Sequence, residues 1–119
     1  MPTNKEFGEQ LEKRTKQFAI RIIRLCCQLP KTPEANIVRS QLVRSSTSIG
    51  ANYREANRSI SRADFRHRIS ICEKECSESQ YWLEIIMEAP MLHTECVQPD
   101  YTECSELLAI FTSIGRSLK

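Results

Sequence analysis

Glycine is scarce in this 119-residue chain, with three residues, and proline contributes only five. Sandwiches and barrels need a turn every few residues, so this shortage argues against β architecture and for helices. Aromatic residues make up 7%, histidine occurs twice and tryptophan once. Two histidines leave little from which to build a catalytic dyad, and neither a nucleophile elbow nor a glycine-rich phosphate loop occurs. No apolar run approaches membrane-spanning length, and the opening MPTNKEFGEQLEK lacks the apolar segment of a signal peptide. A cytosolic chain is expected, whose six cysteines stay reduced instead of forming a disulfide framework.

What is present is an ordinary globular composition, 40% hydrophobic and 27% charged. The length suits one domain over residues 1–119 with a real core. Net charge is only +2, but residues 1–74 carry 15 Lys/Arg against 7 Asp/Glu, and residues 75–119 carry 2 against 8. Halves so opposed can pair with each other, within a subunit or between subunits. They can also show a basic face to one partner and an acidic face to another.

Hydrophobic spacing predicts four helices, at roughly 5–29, 33–58, 62–89 and 99–118. In the first, Leu11, Thr15, Phe18, Ile22, Leu25 and Leu29 share a face. Thr32-Pro33-Glu34 is a helix start, with a hydroxyl cap, proline at the first position and a carboxylate at the positive end of the dipole. The second face is Ala35, Val38, Leu42, Ser45, Ile49, Asn52 and Ala56. Gly50 within it costs about 1 kcal/mol against alanine and implies a close neighbour. Ser61 and Asp64 form a capping box that opens the third helix. Its seam is Phe65, Ile69, Cys72, Cys76, Ser79, Leu83 and Ile86.

Pro99-Asp100 is expected to lead into the last helix, with Tyr101, Cys104, Leu108, Phe111 and Leu118 inward. Leu107, Ile110 and Ile114 then form a second stripe, surplus within a monomer and available to another subunit. An all-α, antiparallel up-down-up-down four-helix bundle follows.

Arginine is concentrated where the second helix turns into the third: Arg54, Arg58, Arg62, Arg66 and Arg68, offset only by Glu55 and Asp64. Guanidinium suits phosphate because it offers a planar fork of donors and keeps its charge. The competing reading is a solvated turn whose arginines pair with the acidic second half. No aromatic platform interleaves the run, so any nucleic-acid contact should be mainly to phosphate.

Cys72, Cys76, His93 and Cys96 suggest a zinc set on paper. The first two fall on the apolar seam, where cysteine acts as a small hydrophobe, and Cys26, Cys27 and Cys104 read the same way, so no metal or cofactor is expected. The carboxylates of the third helix read as an exposed charged face, because neither His67 nor His93 follows a glutamate at the Glu-x-x-His spacing of di-iron bundles. Glu75 or Glu78 is expected to accept a hydrogen bond from Asn52 or the Ser45/Ser46 hydroxyls in a register-fixing polar layer. Tyr81 falls on the outer side of its helix, with Trp82 on the flank and Ile85 beside them, a cluster suited to a subunit interface. An enzyme is not expected.

The blocks S-x-x-x-GANYREA, S-x-x-DF and E-x-x-YWL, all within Val43–Met87, carry a resemblance. In order and spacing the chain resembles the four-helix-bundle family named for proteins encoded in intervening sequences of bacterial large-subunit ribosomal RNA genes. The outer helices match only in length and amphipathicity. The resemblance implies an up-down bundle assembled as a ring, typically a pentamer, with a basic face proposed to contact nucleic acid. It also brings in a relative, the accessory protein of diversity-generating retroelements, which binds a reverse transcriptase and RNA.

The leading expectation is therefore a non-enzymatic bundle that forms a homo-oligomer through Leu107, Ile110, Ile114, Tyr81 and Ile85. It would bind RNA or DNA through Arg54, Arg58, Arg62, Arg66 and Arg68. The rival is a protein-interaction scaffold without a nucleic-acid role.

Overall fold

The computed structural model describes residues 4–119. Helices α1 (Asn4–Cys26), α2 (Pro33–Ala56), α3 (Arg62–Glu88) and α4 (Thr94–Ser117) form an antiparallel four-helix bundle, 44 × 26 × 20 Å. Starts and stops follow local chemistry. Thr32 Oγ1 accepts from Ala35 N at 3.2 Å ahead of Pro33, and Ser61 Oγ accepts from Asp64 N at 3.1 Å. The end of α1 is held from the neighbouring helix. Arg39 donates from Nε to Cys26 O (3.1 Å) and from Nη2 to Leu29 O (2.9 Å) and Pro30 O (3.2 Å). A cation thus serves carbonyls that the helix end leaves without intrahelical donors.

The inward faces of α1, α2 and α3 follow the predicted ones, except that α1 ends at Cys26 short of Leu29 and Asn52 is only half-buried. Leu11, Thr15, Phe18, Ile22, Leu25 and Leu29 are all buried, as are Ala35, Val38, Leu42, Ser45, Ile49 and Ala56. On α3, Ile69, Cys72, Cys76, Ser79, Leu83 and Ile86 are buried, with Phe65 half-buried at the edge. Tyr53 joins them unforeseen, edge-to-face on Phe111 with ring centroids 5.5 Å apart. Cys27 is exposed, which corrects the expectation that it packs inside.

The polar layer also differs from expectation. Ser45 Oγ lies 2.8 Å from Ser79 Oγ rather than from a glutamate, and Asn52 Oδ1 accepts from Arg68. Glu75, 6% exposed, accepts from Arg44 Nη1 at 3.2 Å.

Helix α4 departs most from the sequence expectation. It begins at Thr94 rather than near Pro99, so Pro99 lies inside it and one intrahelical hydrogen bond is given up. Burial of Val97 (0% exposed) and the bond from Cys96 N to His93 O (2.9 Å) hold the added turn. The inward face is Val97, Asp100, Cys104, Leu107 and Phe111. Leu107 is therefore a core residue at 0% exposure, not part of an outward stripe. Ile110 and Ile114 are half-buried against the core. The alternation runs through Asp100, a position a hydrophobic pattern skips, and Arg21 Nε holds that carboxylate at 2.8 Å.

The α2–α3 and α3–α4 pairings are the most extensive, and α1–α4 is the sparsest. Charge closes this last seam. Arg14 clasps Glu103 through Nε (2.8 Å) and Nη2 (2.7 Å) and reaches Glu106 at 3.1 Å, while Arg21 holds Asp100. Across α2–α3, Arg44 bridges Glu75 and Glu78. The opposed halves of the chain do pair within the subunit. No buried side-chain nitrogen or oxygen lacks a hydrogen bond among the described residues.

Candidate nucleic-acid interface

The up-down-up-down path brings the end of α2, the start of α3 and the end of α4 to one end of the bundle. The five arginines singled out in sequence all lie there but differ in what holds them. Arg54 Nε is 3.8 Å from Glu12 Oε1, whose other oxygen accepts from Asn57 Nδ2 at 2.8 Å. Arg68 is half-buried and donates to Asn52 Oδ1 at 2.9 Å, so it acts as a tie between α2 and α3. Arg62 is exposed and donates to Leu118 O at 3.3 Å across the end of α4. Arg58 and Arg66 are exposed and without side-chain partners among the described residues.

Two cations that sequence reasoning missed complete the set. Arg116 and Lys119 are the only basic residues of the acidic second half. Both border a cleft between α3 and α4 that Arg66 also lines. Their signal was topological: a bundle of four antiparallel helices returns its last turn to the α2–α3 corner. Between the arginines, at the tip of that corner, Ile60 is 99% exposed.

Nothing at this end resembles a reaction centre. The cysteines that suggested zinc on paper are dispersed. Cys72, Cys76 and Cys104 are buried in the core, where desolvation pushes Cys72 and Cys104 up to about 12 and raises Cys76 as well. Cys96 is exposed at the opposite end, and among the described residues no three His, Cys, Asp or Glu side chains gather as a metal site would require. The perturbed carboxyls have structural causes. Burial raises Asp100 against the pull of Arg21. At Glu78 burial is outweighed by hydrogen bonds from Trp82 (3.2 Å) and Arg44, which lower it.

The Tyr81 cluster lies on the flank of α3. Tyr81 is 55% exposed and stacks edge-on against Trp82 at 5.0 Å, and Ile85 is half-buried beside them. Tyr101 OH donates to Glu84 at 2.8 Å on the adjoining face of α4.

The sequence profile described as 23S rRNA-intervening sequence protein matches residues 10–113. The chain belongs to this family. A solved structure of the S23 ribosomal protein family from Bacteroides thetaiotaomicron VPI-5482, described as a protein of unknown function, superposes with a TM-score of 0.81 at 34% identity. The match covers 87% of this chain and 96% of that one. No curated relative matches. Neither description carries a catalytic activity. Among the described residues no helix of this 23S rRNA-intervening sequence family member is long and apolar enough to cross a membrane.

Proposed function

We propose that the protein is a non-catalytic, homo-oligomeric bundle that binds nucleic acid through phosphate contacts at its basic end. The observation that carries this reading is the convergence there of Arg58, Arg62, Arg66, Arg116 and Lys119. Among the described residues none of these five is paired with a carboxylate. Elsewhere Arg14, Arg21 and Arg44 are neutralised by acidic partners. What distinguishes the basic end from other exposed cations such as Lys13 and Lys31 is that the ends of α2 and α4 and the start of α3 gather its charges at one place. A cluster of unpaired guanidinium groups suits a polyanion. Arg54 and Arg68, tied to Glu12 and Asn52, contribute less. The family description, with its reference to 23S rRNA, favours RNA as the first probe.

Fluorescence anisotropy with a structured RNA tests this reading. Binding at about 50 mM salt should be micromolar or tighter and weaken steeply as salt rises, since each phosphate neutralised releases counterions. Arg58→Glu with Arg66→Glu should abolish it, whereas Arg68→Gln should matter little to RNA and cost stability instead. Absence of binding at low salt would remove the nucleic-acid reading.

A scaffold reading draws on a different observation, the exposed Tyr81 beside Trp82 and Ile85. A second copy of the chain is the occupant this reading assigns to that face, in keeping with the ring assembly that the family resemblance implies. A protein partner of the reverse-transcriptase class is the alternative occupant, recognisable by co-sedimentation with an unchanged protomer count.

A further inference from the structure

A cleft of about 340 Å3 opens between α3 and α4 beside the basic end, at the small end of the range for ligand pockets. Gly115 and Thr112 line it above the buried side chains of Ile69 and Phe111, and its rim carries Arg66, Arg116 and Lys119. Two further residues single it out. Gly115 lies within α4, where glycine is unfavourable, yet it has no positive φ to require it. A Cβ there would find only Ile69 Cγ2, at 4.0 Å. Neither backbone conformation nor helix packing demands glycine at 115, and its consequence is an open floor. Glu73, the other residue, is a half-buried carboxylate that lines the cleft without hydrogen bond or ion pair among the described residues, although three cations share the cleft with it.

An apolar slot with a cationic rim and one free acceptor matches a nucleotide better than a bare anion. We infer that the cleft accepts one unpaired base of a bound single strand, guanine above the others, with Glu73 reading its edge and Arg66, Arg116 and Lys119 holding the flanking phosphates. Guanine alone among the bases presents two adjacent N–H donors, N1–H and the 2-amino group, on the edge that an unpaired base exposes, and a carboxylate accepts both. The other bases present lone pairs beside a single donor there, and those lone pairs face the carboxylate's charge. This assignment rests on the nucleic-acid reading above and adds a base preference to it.

The test compares labelled oligouridylate of about twelve nucleotides with the same strand carrying one central guanosine or one central inosine, at low salt. Guanosine should tighten binding by roughly tenfold, the scale of a bidentate base contact, and inosine, which lacks the 2-amino group, should lose most of that gain. Glu73→Gln and Gly115→Leu should each erase the guanosine-to-uridine ratio while leaving oligouridylate binding in place. The ratio cancels any general effect of the altered charge, and thermal melts of both variants report whether the bundle is intact. Equal affinity for all three strands, or a ratio that survives both substitutions, would overturn the inference and leave the phosphate reading standing. If no strand binds, the inference falls, and the structured-RNA titration decides the phosphate reading separately.

Discussion

A Cβ at Gly50 would meet Thr15 Oγ1 at 3.2 Å and the Thr15 carbonyl carbon at 3.4 Å. Thr15 has little room to yield, being fully buried with its hydroxyl donating to Leu11 O (2.9 Å) and Glu12 O (3.0 Å). Gly50→Val should therefore lower stability by about 1–3 kcal/mol through overpacking, whereas Gly115→Ala, in open space, should raise it by up to about 1 kcal/mol through helix propensity. Urea titrations of the two variants check both signs. The cysteines give a second residue-scale expectation. Cys27 and Cys96 are exposed, and burial pushes Cys26, Cys72 and Cys104 up to between about 11 and about 12. Iodoacetamide at mildly alkaline pH should alkylate two thiols quickly and the other four only after denaturation. Because these folded values lie above the ordinary thiol value of 9.0, the fold favours the protonated form. That contribution is complete below about pH 9 and is lost as pH climbs toward 12, so the urea midpoint should fall across that window. Gly50 was legible in sequence because glycine weakens the middle of a strong helical pattern, and a close neighbour is what offsets that cost. Tyr53 was not, since its burial depends on Phe111 of a helix far along the chain.

Three of the four helices could be read as patterns because each presents an unbroken 3-4 alternation of apolar or small residues. Helix α4 does not. Its inward face includes Asp100, which is tolerated there because Arg21 of α1 reaches it, and no single-helix pattern contains that partner. An alternation drawn through Tyr101 instead of Asp100 rotates the face and sends Leu107 outward. Pro99 points the same wrong way, because proline more often opens a helix than sits a turn and a half inside one. Connections between elements were similarly half legible: Thr32 and Ser61 were readable as caps, but Arg39, which serves the end of α1 from within α2, was not. Its three bonds to carbonyls make it the strongest cross-element tie at that end. Arg39→Ala should cost about 2 kcal/mol by denaturant unfolding, in the range for hydrogen bonds to charged groups, and Arg39→Lys should recover only part, since one ammonium cannot reproduce the guanidinium fork. A lysine variant as stable as the parent would show that charge near the helix end suffices.

For the molecule as a whole, five of the eight carboxylates of the second half are matched inside the subunit, by Arg14 and Arg21 along α1–α4 and by Arg44 along α2–α3. The basic end and the flank around Tyr81 are the two exposed surfaces that the proposed function uses, each for a separate part of it. The basic end was visible in the sequence as a run of arginines. The addition of Arg116 and Lys119 and the inward ties of Arg54 and Arg68 required the path of the chain. The assembly surface was harder to read, because a monomer's sequence does not distinguish an apolar residue that lines its own core from one that lines a neighbour's. With Leu107 inside the core, Leu107→Glu would place a charge at a fully buried site and unfold the monomer, so it reports nothing about assembly. Tyr81 separates the two effects. At 55% exposure it contributes little to the monomer's own stability, and the proposed assembly would cover its ring. Tyr81→Glu should therefore leave the melting temperature nearly unchanged and reduce the mass seen by sedimentation velocity toward that of the 13.8 kDa protomer. An unchanged mass would move the interface away from this flank of α3. A lowered melting temperature would mean that the Tyr81 side chain supports the monomer's own fold more than its exposure implies.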